Sequence, residues 1–219
     1  MPLDLFLFDL AGTTVADNGF VTRAFLAAAA TRDVAPDPEW VRARMGWRKL
    51  LVFEEMLTAA GRDLAEAPGL NAAFERHVAE DLQRDPPRPL TGAAESFDAL
   101  RARRIKVGFT TGFSAVTGLA ILECLRWQPD VFVASDMVDR GRPAPDLILR
   151  GMKDAGVADP ARVGIAGDTP ADLEAGHAAR CRLVVGVGHG SHSLDELRVS
   201  PHTHLLPDLR SLPEIIDAL

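Results

Sequence analysis

An aspartate closes the apolar run Leu5-Phe6-Leu7-Phe8, and the loop after it reads Leu10-Ala-Gly-Thr-Thr14. A carboxylate at the C-terminal end of a buried strand stands where open α/β sheets bind their ligands, so Asp9 is placed to react. Three further strand-like segments end in groups of the same kind. Ile105-Lys-Val-Gly-Phe-Thr110 runs into Thr111-Gly112, a hydroxyl and a free backbone N–H at the start of a helix, a pairing that suits an anion. Gly141-Arg142-Pro143 sets a cation in a turn before a helix that starts near Pro145. Val163-Gly-Ile-Ala166 leads into Gly167-Asp168-Thr-Pro-Ala-Asp172, which places two carboxylates four residues apart at a helix N-terminus. Singly, each has an ordinary structural reading: Asp168 and Asp172 as helix caps, Thr111-Gly112 as a strand-to-helix turn, Arg142 as a solvated charge. Together, polar groups at the ends of successive elements describe one site.

Carboxylates, a hydroxyl, an N–H and a cation in one place suit a phosphoryl group with Mg²⁺. The hard ion takes oxygen ligands and offsets repulsion between carboxylates and an anionic substrate, so that Asp9 is able to attack phosphorus. On this reading Thr111, the Gly112 N–H and Arg142 hold the equatorial oxygens, where charge spreads in the transition state.

The pattern of elements agrees. Four apolar residues before Asp9 suit a parallel strand covered on both faces. Between Val15 and about Arg88 the periodicity is helical, with helices predicted at 20–32, 38–45, 47–60 and 70–84 and breaks at Asp37-Pro38 and Pro68-Gly69. Asp85-Pro-Pro-Arg-Pro89 reads as a stiff linker. Beyond Leu90, strands predicted at 105–110, 131–134, 162–166 and 182–187 alternate with helices at 92–103, 114–125, 145–155, 170–179 and 210–218. Such alternation implies a parallel sheet with right-handed crossovers, which the first strand, at 3–8, joins across the helical insertion. The expected fold is a Rossmann-like α/β core, residues 1–15 and 90–219, with a helical cap, 16–89, inserted after the first strand. Its hinges are expected near Thr14–Asp17 and Asp85–Pro89, and its closure would exclude water from the site.

The bulk properties narrow the partners. Of the 219 residues 47% are hydrophobic and 25% charged, and the net charge of −7 comes with no basic stripe, which argues against nucleic acid. Asp4 and Asp9 interrupt the N-terminal apolar stretch, so no leader is expected, and no run of about 18 apolar residues suggests a membrane span. Cys124 and Cys181 lack metal spacing and read as reduced, packed thiols, which fits a cytoplasmic protein. His189, His192, His202 and His204 read as loop histidines rather than a metal site. Trp40 and Trp47 read as packing residues of the cap.

The loop at Asp9, the strand end at Thr111, Arg142-Pro-Ala-Pro-Asp146 and Gly167-Asp-Thr-Pro-Ala-Asp172 together resemble the four motifs of the haloacid dehalogenase-like hydrolase superfamily, over nearly the whole chain. The resemblance implies an aspartyl-phosphate on Asp9 and Mg²⁺ held by Asp9, the Ala11 carbonyl, Asp168 and Asp172, the last directly or through water. Phosphatases of that superfamily usually carry a second aspartate two residues after the nucleophile, which protonates the leaving alkoxide; Ala11 stands there here. Asp-Leu-Ala-Gly-Thr-Thr is instead similar to the loop of phosphonoacetaldehyde hydrolases, where a cap lysine forms a Schiff base with the substrate aldehyde and the leaving group departs as an enamine. Met45-Gly-Trp-Arg-Lys49 resembles their cap segment and puts Lys49 at the Schiff-base position. Met45, Lys49, Val52 and Met56 also share one helical stripe, where desolvation favours the neutral amine; on an exposed cap edge the same lysine would snorkel into water. The chain departs from those hydrolases at Val52, where they carry a histidine, and at Phe113, where they carry a tyrosine. A phosphomonoesterase, or a phosphate-binding relative without catalysis, stays open on the sequence. Members of the superfamily often pair through cap helices, and Leu- and Ala-rich cap faces permit a homodimer.

Overall fold

A computed structural model describes residues 2–219. Its centre is β1 (Leu5–Phe8), four residues with no exposed surface. Side chains alternate across a strand, so Phe6 and Phe8 enter one core layer while Leu5 and Leu7 enter the other. Both faces are thus covered, as the unbroken apolar run requires. β1 pairs in parallel with β2 (Lys106–Thr111) on one side and β4 (Val163–Gly167) on the other. With β3 (Val131–Ala134), β5 (Leu183–Val187) and β6 (His204–Leu206) they form a six-stranded parallel sheet in the order β3-β2-β1-β4-β5-β6. Consequently Asp9, Thr111 and Asp168 emerge side by side along one edge, from the three central strands.

Four helices lie between β1 and the Asp85–Pro89 linker: α1 (Phe20–Ala30), α2 (Pro38–Arg42), α3 (Lys49–Ala59) and α4 (Ala67–Arg84). They pack on their own aromatic centre, in which Phe53 stacks on Phe25 with ring centroids 4.2 Å apart and meets Phe74 edge-on at 6.3 Å. The two connections to the sheet run side by side: the Ala16 N–H donates to the Arg88 carbonyl (2.9 Å) and the Leu90 N–H to the Thr14 carbonyl (2.8 Å). The Asp85–Pro89 linker is therefore half of a paired strap. The other helices flank the sheet: α5 (Ala93–Ala102), α6 (Ala115–Cys124), α7 (Asp146–Ala155), α8 (Pro170–Ala178), α9 (Leu194–Leu197) and α10 (Leu212–Asp217). Among the described residues no helix is long and apolar enough to cross a membrane.

Several expectations need correction. The first strand begins at Leu5 rather than residue 3, and the Asp4 side chain accepts from Arg162 (2.5 Å). The helix expected over 38–45 stops at Arg42, and the one expected from 47 starts at Lys49. Pro68-Gly69 is no break: Pro68 sits in the first turn of α4, where its missing N–H costs nothing. The real break is at Gly61–Asp63, where Gly61 takes φ +64° and Asp63 caps a short 3₁₀ turn over Leu64–Glu66. β6 went unpredicted because three residues between Pro201 and Pro207 are too few to show a period. Cys124 lies exposed at the end of α6 instead of packed; Cys181 is partly buried, and burial pushes its thiol up to about 12.

Phe53→Ala should test the aromatic centre of the cap. With no exposure and two ring partners, its loss should lower the unfolding free energy by about 3–5 kcal/mol in urea titrations.

Candidate active site

The Asp9 backbone is held on both sides. Its N–H donates to the Ala166 carbonyl (2.9 Å), and its own carbonyl accepts from Thr14 Oγ1 (2.8 Å). The chain then turns at Gly12, whose φ of +89° suits glycine and where any Cβ would strike the Asp168 carboxylate. That carboxylate accepts from Thr13 Oγ1 at Oδ1 (3.0 Å) and from the Ser191 N–H at Oδ2 (2.6 Å). Asp172 forms a capping box with Thr169 at the start of α8, its Oδ2 accepting from Thr169 Oγ1 (2.5 Å). The loop after β3 swings Arg142 into this group. Its Nη1 donates to Asp9 Oδ1 (2.6 Å) and lies 2.9 Å from Asp172 Oδ1, while Nη2 donates to the carbonyl (2.8 Å) and Oγ1 (2.7 Å) of Thr110. The sequence placed Arg142 on substrate oxygens. Its guanidinium is instead engaged in joining the nucleophile to Asp172, and it does not line the cavity described below.

Asp9, Asp168 and Asp172 are buried around this single guanidinium. Ionising all three carboxyls beside one guanidinium would leave negative charge uncompensated out of water, which is costly. Burial pushes the Asp9 carboxyl up to about 8, against the pull of Arg142, and Asp172 and Asp168 add to the rise. Burial and Asp172 bring Asp168 up to about 6, opposed by the hydrogen bonds from Ser191 and Thr13. Arg142 holds its proton more tightly than usual: Asp172 and Asp9 outweigh the burial that opposes its charge. A divalent cation would neutralise the excess, and the donors on hand are hard oxygens of the kind Mg²⁺ takes. By donor type Asp9, Asp168 and Asp172 suit such an ion. As they stand, among the described residues no three His, Cys, Asp or Glu side chains are arranged to hold a metal ion; Arg142 holds one oxygen each of Asp9 and Asp172.

Above the carboxylates a narrow cavity separates sheet edge from cap. Its polar side is Asp9, Thr111, Gly112, Thr169 and Ser191; its apolar side is Ala11, Val21, Met45 and Phe113. Thr111 Oγ1 accepts from the Phe113 N–H (3.2 Å), which leaves the hydroxyl hydrogen to donate into the cavity. Gly112 has a role beyond its N–H. A Cβ there would meet the Gly46 and Trp47 carbonyls at 2.6 and 2.9 Å, so only glycine lets the cap loop approach the sheet so closely.

That loop delivers Lys49, the first residue of α3 and one of the cavity's walls. The stripe Met45, Lys49, Val52 and Met56 is buried throughout, and Lys49 is only 6% exposed. Its Nζ donates to the Trp47 carbonyl (3.1 Å). Burial holds its ammonium down to about 8, against the pull of Asp9 and Asp17. Trp40 and Trp47 are partly buried and pack against the main core cluster.

Thr13, Thr110, Thr169 and Ser191 support the site and went unread in the sequence. The threonines flank residues that were singled out, so adjacency was a usable signal. Ser191 acts through its backbone N–H, which leaves no trace in residue type. Of the histidines, His189 Nε2 lies 3.0 Å from the Thr13 carbonyl, and His204 opens β6. His192 is buried, and its Nδ1 has no partner among the described residues.

The haloacid dehalogenase-like hydrolase family model matches residues 3–180. The chain is 32% identical to a phosphonoacetaldehyde hydrolase of Bordetella pertussis over 192 residues, covering 81% of this chain and 70% of that one. It is 28% identical to a phosphonoacetaldehyde hydrolase of Bacteroides fragilis over 225 residues, 94% of this chain and 82% of that one. The fold is similar to a crystal structure of a hydrolase from Pseudomonas syringae, with TM-score 0.82, 22% identity and 99% of both chains covered. It is equally similar to a phosphonoacetaldehyde hydrolase-like protein from Oleispira antarctica, with TM-score 0.83, 20% identity and 100% and 92% covered.

Lysine at position 49 should cost stability. With its ammonium held near 8 in the fold and near its ordinary value of about 10.4 in the unfolded chain, burial of the charge costs about 3 kcal/mol below pH 8. Between those two values the unfolded chain binds more protons, so stability rises with pH across that window. Lys49→Met should therefore be more stable than wild type at pH 7 by about 2–3 kcal/mol. Urea titrations at several pH values should show the gap narrowing between pH 8 and 10.5.

Proposed function

The chain belongs to the haloacid dehalogenase-like hydrolases, and on that premise we propose that it hydrolyses the carbon–phosphorus bond of a small aldehyde-bearing phosphonate. The observation that carries this reading is a buried lysine with a depressed pKa in the same small cavity as Asp9, facing a loop in which Ala11 has no proton to give. The phosphonoacetaldehyde hydrolases among its relatives support it. The reading divides the chain into a core, 1–15 and 90–219, and a cap, 16–89, hinged at the paired strap.

In the proposed sequence the neutral Lys49 amine adds to the aldehyde carbon, and the carbinolamine takes up a proton from solvent and loses water, leaving an iminium. Asp9 then attacks phosphorus. The P–O bond to Asp9 forms as the C–P bond breaks, and its electron pair moves into the carbon chain, neutralising the iminium as an enamine. No oxygen leaves, so no acid at position 11 is required. Thr111 and the Gly112 N–H hold phosphoryl oxygens, and Arg142 keeps Asp9 oriented. Water then attacks the phosphorus of the aspartyl-phosphate and frees phosphate and Asp9. Protonation of the enamine carbon and hydrolysis of the iminium release the aldehyde and restore Lys49. When bound, Mg²⁺ supplies charge neutralisation at the phosphoryl oxygens, and Asp9, the Ala11 carbonyl, Asp168 and Asp172 would hold it.

One observation favours phosphomonoester hydrolysis instead: Val52 is buried and apolar, whereas the hydrolases this segment resembles carry a histidine there for proton transfer. Borohydride trapping separates the two. With an aldehyde phosphonate, reduction should leave a covalent adduct on Lys49, found by peptide mass spectrometry and absent in Lys49→Ala. About a tenth of Lys49 is neutral at pH 7 if its pKa is near 8, so the initial trapping rate should rise about tenfold between pH 7 and 9. No adduct, with Lys49→Ala turning over phosphate esters like wild type, would establish the phosphatase. Mg²⁺-dependent fluoroberyllate capture at Asp9, lost in Asp9→Asn, is expected under either reading; its absence would leave a phosphate-binding relative without catalysis.

A further inference from the structure

Arg42 ends α2 and reaches across to the loop after β5. Its Nε donates to Glu39 Oε2 in its own helix (2.8 Å), which fixes the direction of the guanidinium. Nη1 then donates to the Ser191 carbonyl (3.3 Å), and Nη2 meets Glu196 Oε1 (2.9 Å). Of these core partners Ser191 lies in the loop between β5 and α9, and Glu196 lies in α9 itself. The other oxygen of Glu196 accepts from the Ser193 N–H (2.8 Å) and Oγ (2.9 Å), pinning the far end of that segment. From its near side the Ser191 N–H donates to Asp168 Oδ2 (2.6 Å). A continuous line of polar contacts thus runs from a cap arginine, through one backbone residue, to a carboxylate of the site.

We propose that Arg42 is a positioning residue, which carries cap closure to the Asp168 carboxylate through the backbone of Ser191. The coupling follows from geometry. Ser191 is gripped by its carbonyl from the cap and by its N–H from Asp168, so the N–H is aimed best when the cap is down. With the cap raised, the segment keeps its Glu196–Ser193 cap but loses the guanidinium that sets its height. An exposed ion pair alone contributes little, but a guanidinium with three charge-assisted or backbone partners constrains direction as well as distance. Coupling is reciprocal: whatever Asp168 binds also favours the closed cap. The cation at Asp168 rests on the functional reading above; the contact between cap and Ser191 does not.

The test compares Arg42→Ala, Arg42→Lys and Arg44→Ala with wild type. Arg44 is the control, since it loses the same charge from the same segment yet pairs inside the cap with Glu55 (2.7 Å) and lies over the Trp40 ring. Amide hydrogen exchange at Ser191 and calorimetric titration with Mg²⁺ alone are both read. In Arg42→Ala, Ser191 exchange should speed up and Mg²⁺ binding weaken, each about fivefold. Arg42→Lys should recover part of both, and Arg44→Ala should match wild type. Unchanged Ser191 exchange in Arg42→Ala, or an equal change in Arg44→Ala, would overturn the coupling. If wild type takes up no Mg²⁺ while Arg42→Ala still frees Ser191, the coupling stands and the cation reading of Asp168 fails.

Discussion

The whole site depends on an imbalance of buried charge. Asp9, Asp168 and Asp172 are brought out of water by two different stretches of chain, and Arg142 is the cation that Asp9 and Asp172 share. Removing one partner from a buried ion pair strands the other, which is far costlier than the pair is favourable. The Arg142 loop, the β1 loop and the start of α8 are therefore tied to one arrangement. A divalent cation would offset the charge that ionising these carboxyls leaves uncompensated. Strain of this kind, kept at a site and supported elsewhere, is what a working site looks like.

The cap supplies the opposite environment. Its stripe of Met45, Val52 and Met56 surrounds Lys49 with apolar surface, and that burial, not a neighbouring cation, is the main force lowering its pKa. Phe20 of the cap stacks on Phe113 of the sheet edge at 6.1 Å, and Gly112 lets the loop bearing Lys49 down onto the phosphate-binding turn. Acidic floor and basic roof are thus built by separate parts of the chain and meet across a few ångströms of cavity. A small, partly apolar substrate with one anionic end suits that division.

Much of this was legible in the chain itself. The central strands announce themselves because burial on both faces demands unbroken apolar runs, and the polar residue that ends each run is conspicuous. The insertion is visible because its period changes from that of strands to that of helices. Legibility failed where the signal is shorter than a period or carried by backbone. β6 is three residues long, and the Ser191 N–H bonds Asp168 whatever side chain residue 191 bears. Pro68 misled because a proline that starts a helix and one that breaks it look alike until the preceding turn is known.

Residue types along the strands by themselves determined the fold class and the position of Asp9 at a strand end, and the helical period of the insertion put Lys49 on one stripe with Met45, Val52 and Met56, because such patterns are local and periodic; that the stripe is buried is a tertiary fact. Only the tertiary structure decided what Arg142 holds. A cation in a turn has no preferred partner in sequence, and its contacts with Asp9, Asp172 and Thr110 come from the spacing of strands that lie far apart in the chain. It also decided that Lys49 faces Asp9 across the cavity and that Arg42 reaches Ser191. Both are contacts between an insertion and a sheet, and no local pattern encodes how those two surfaces meet.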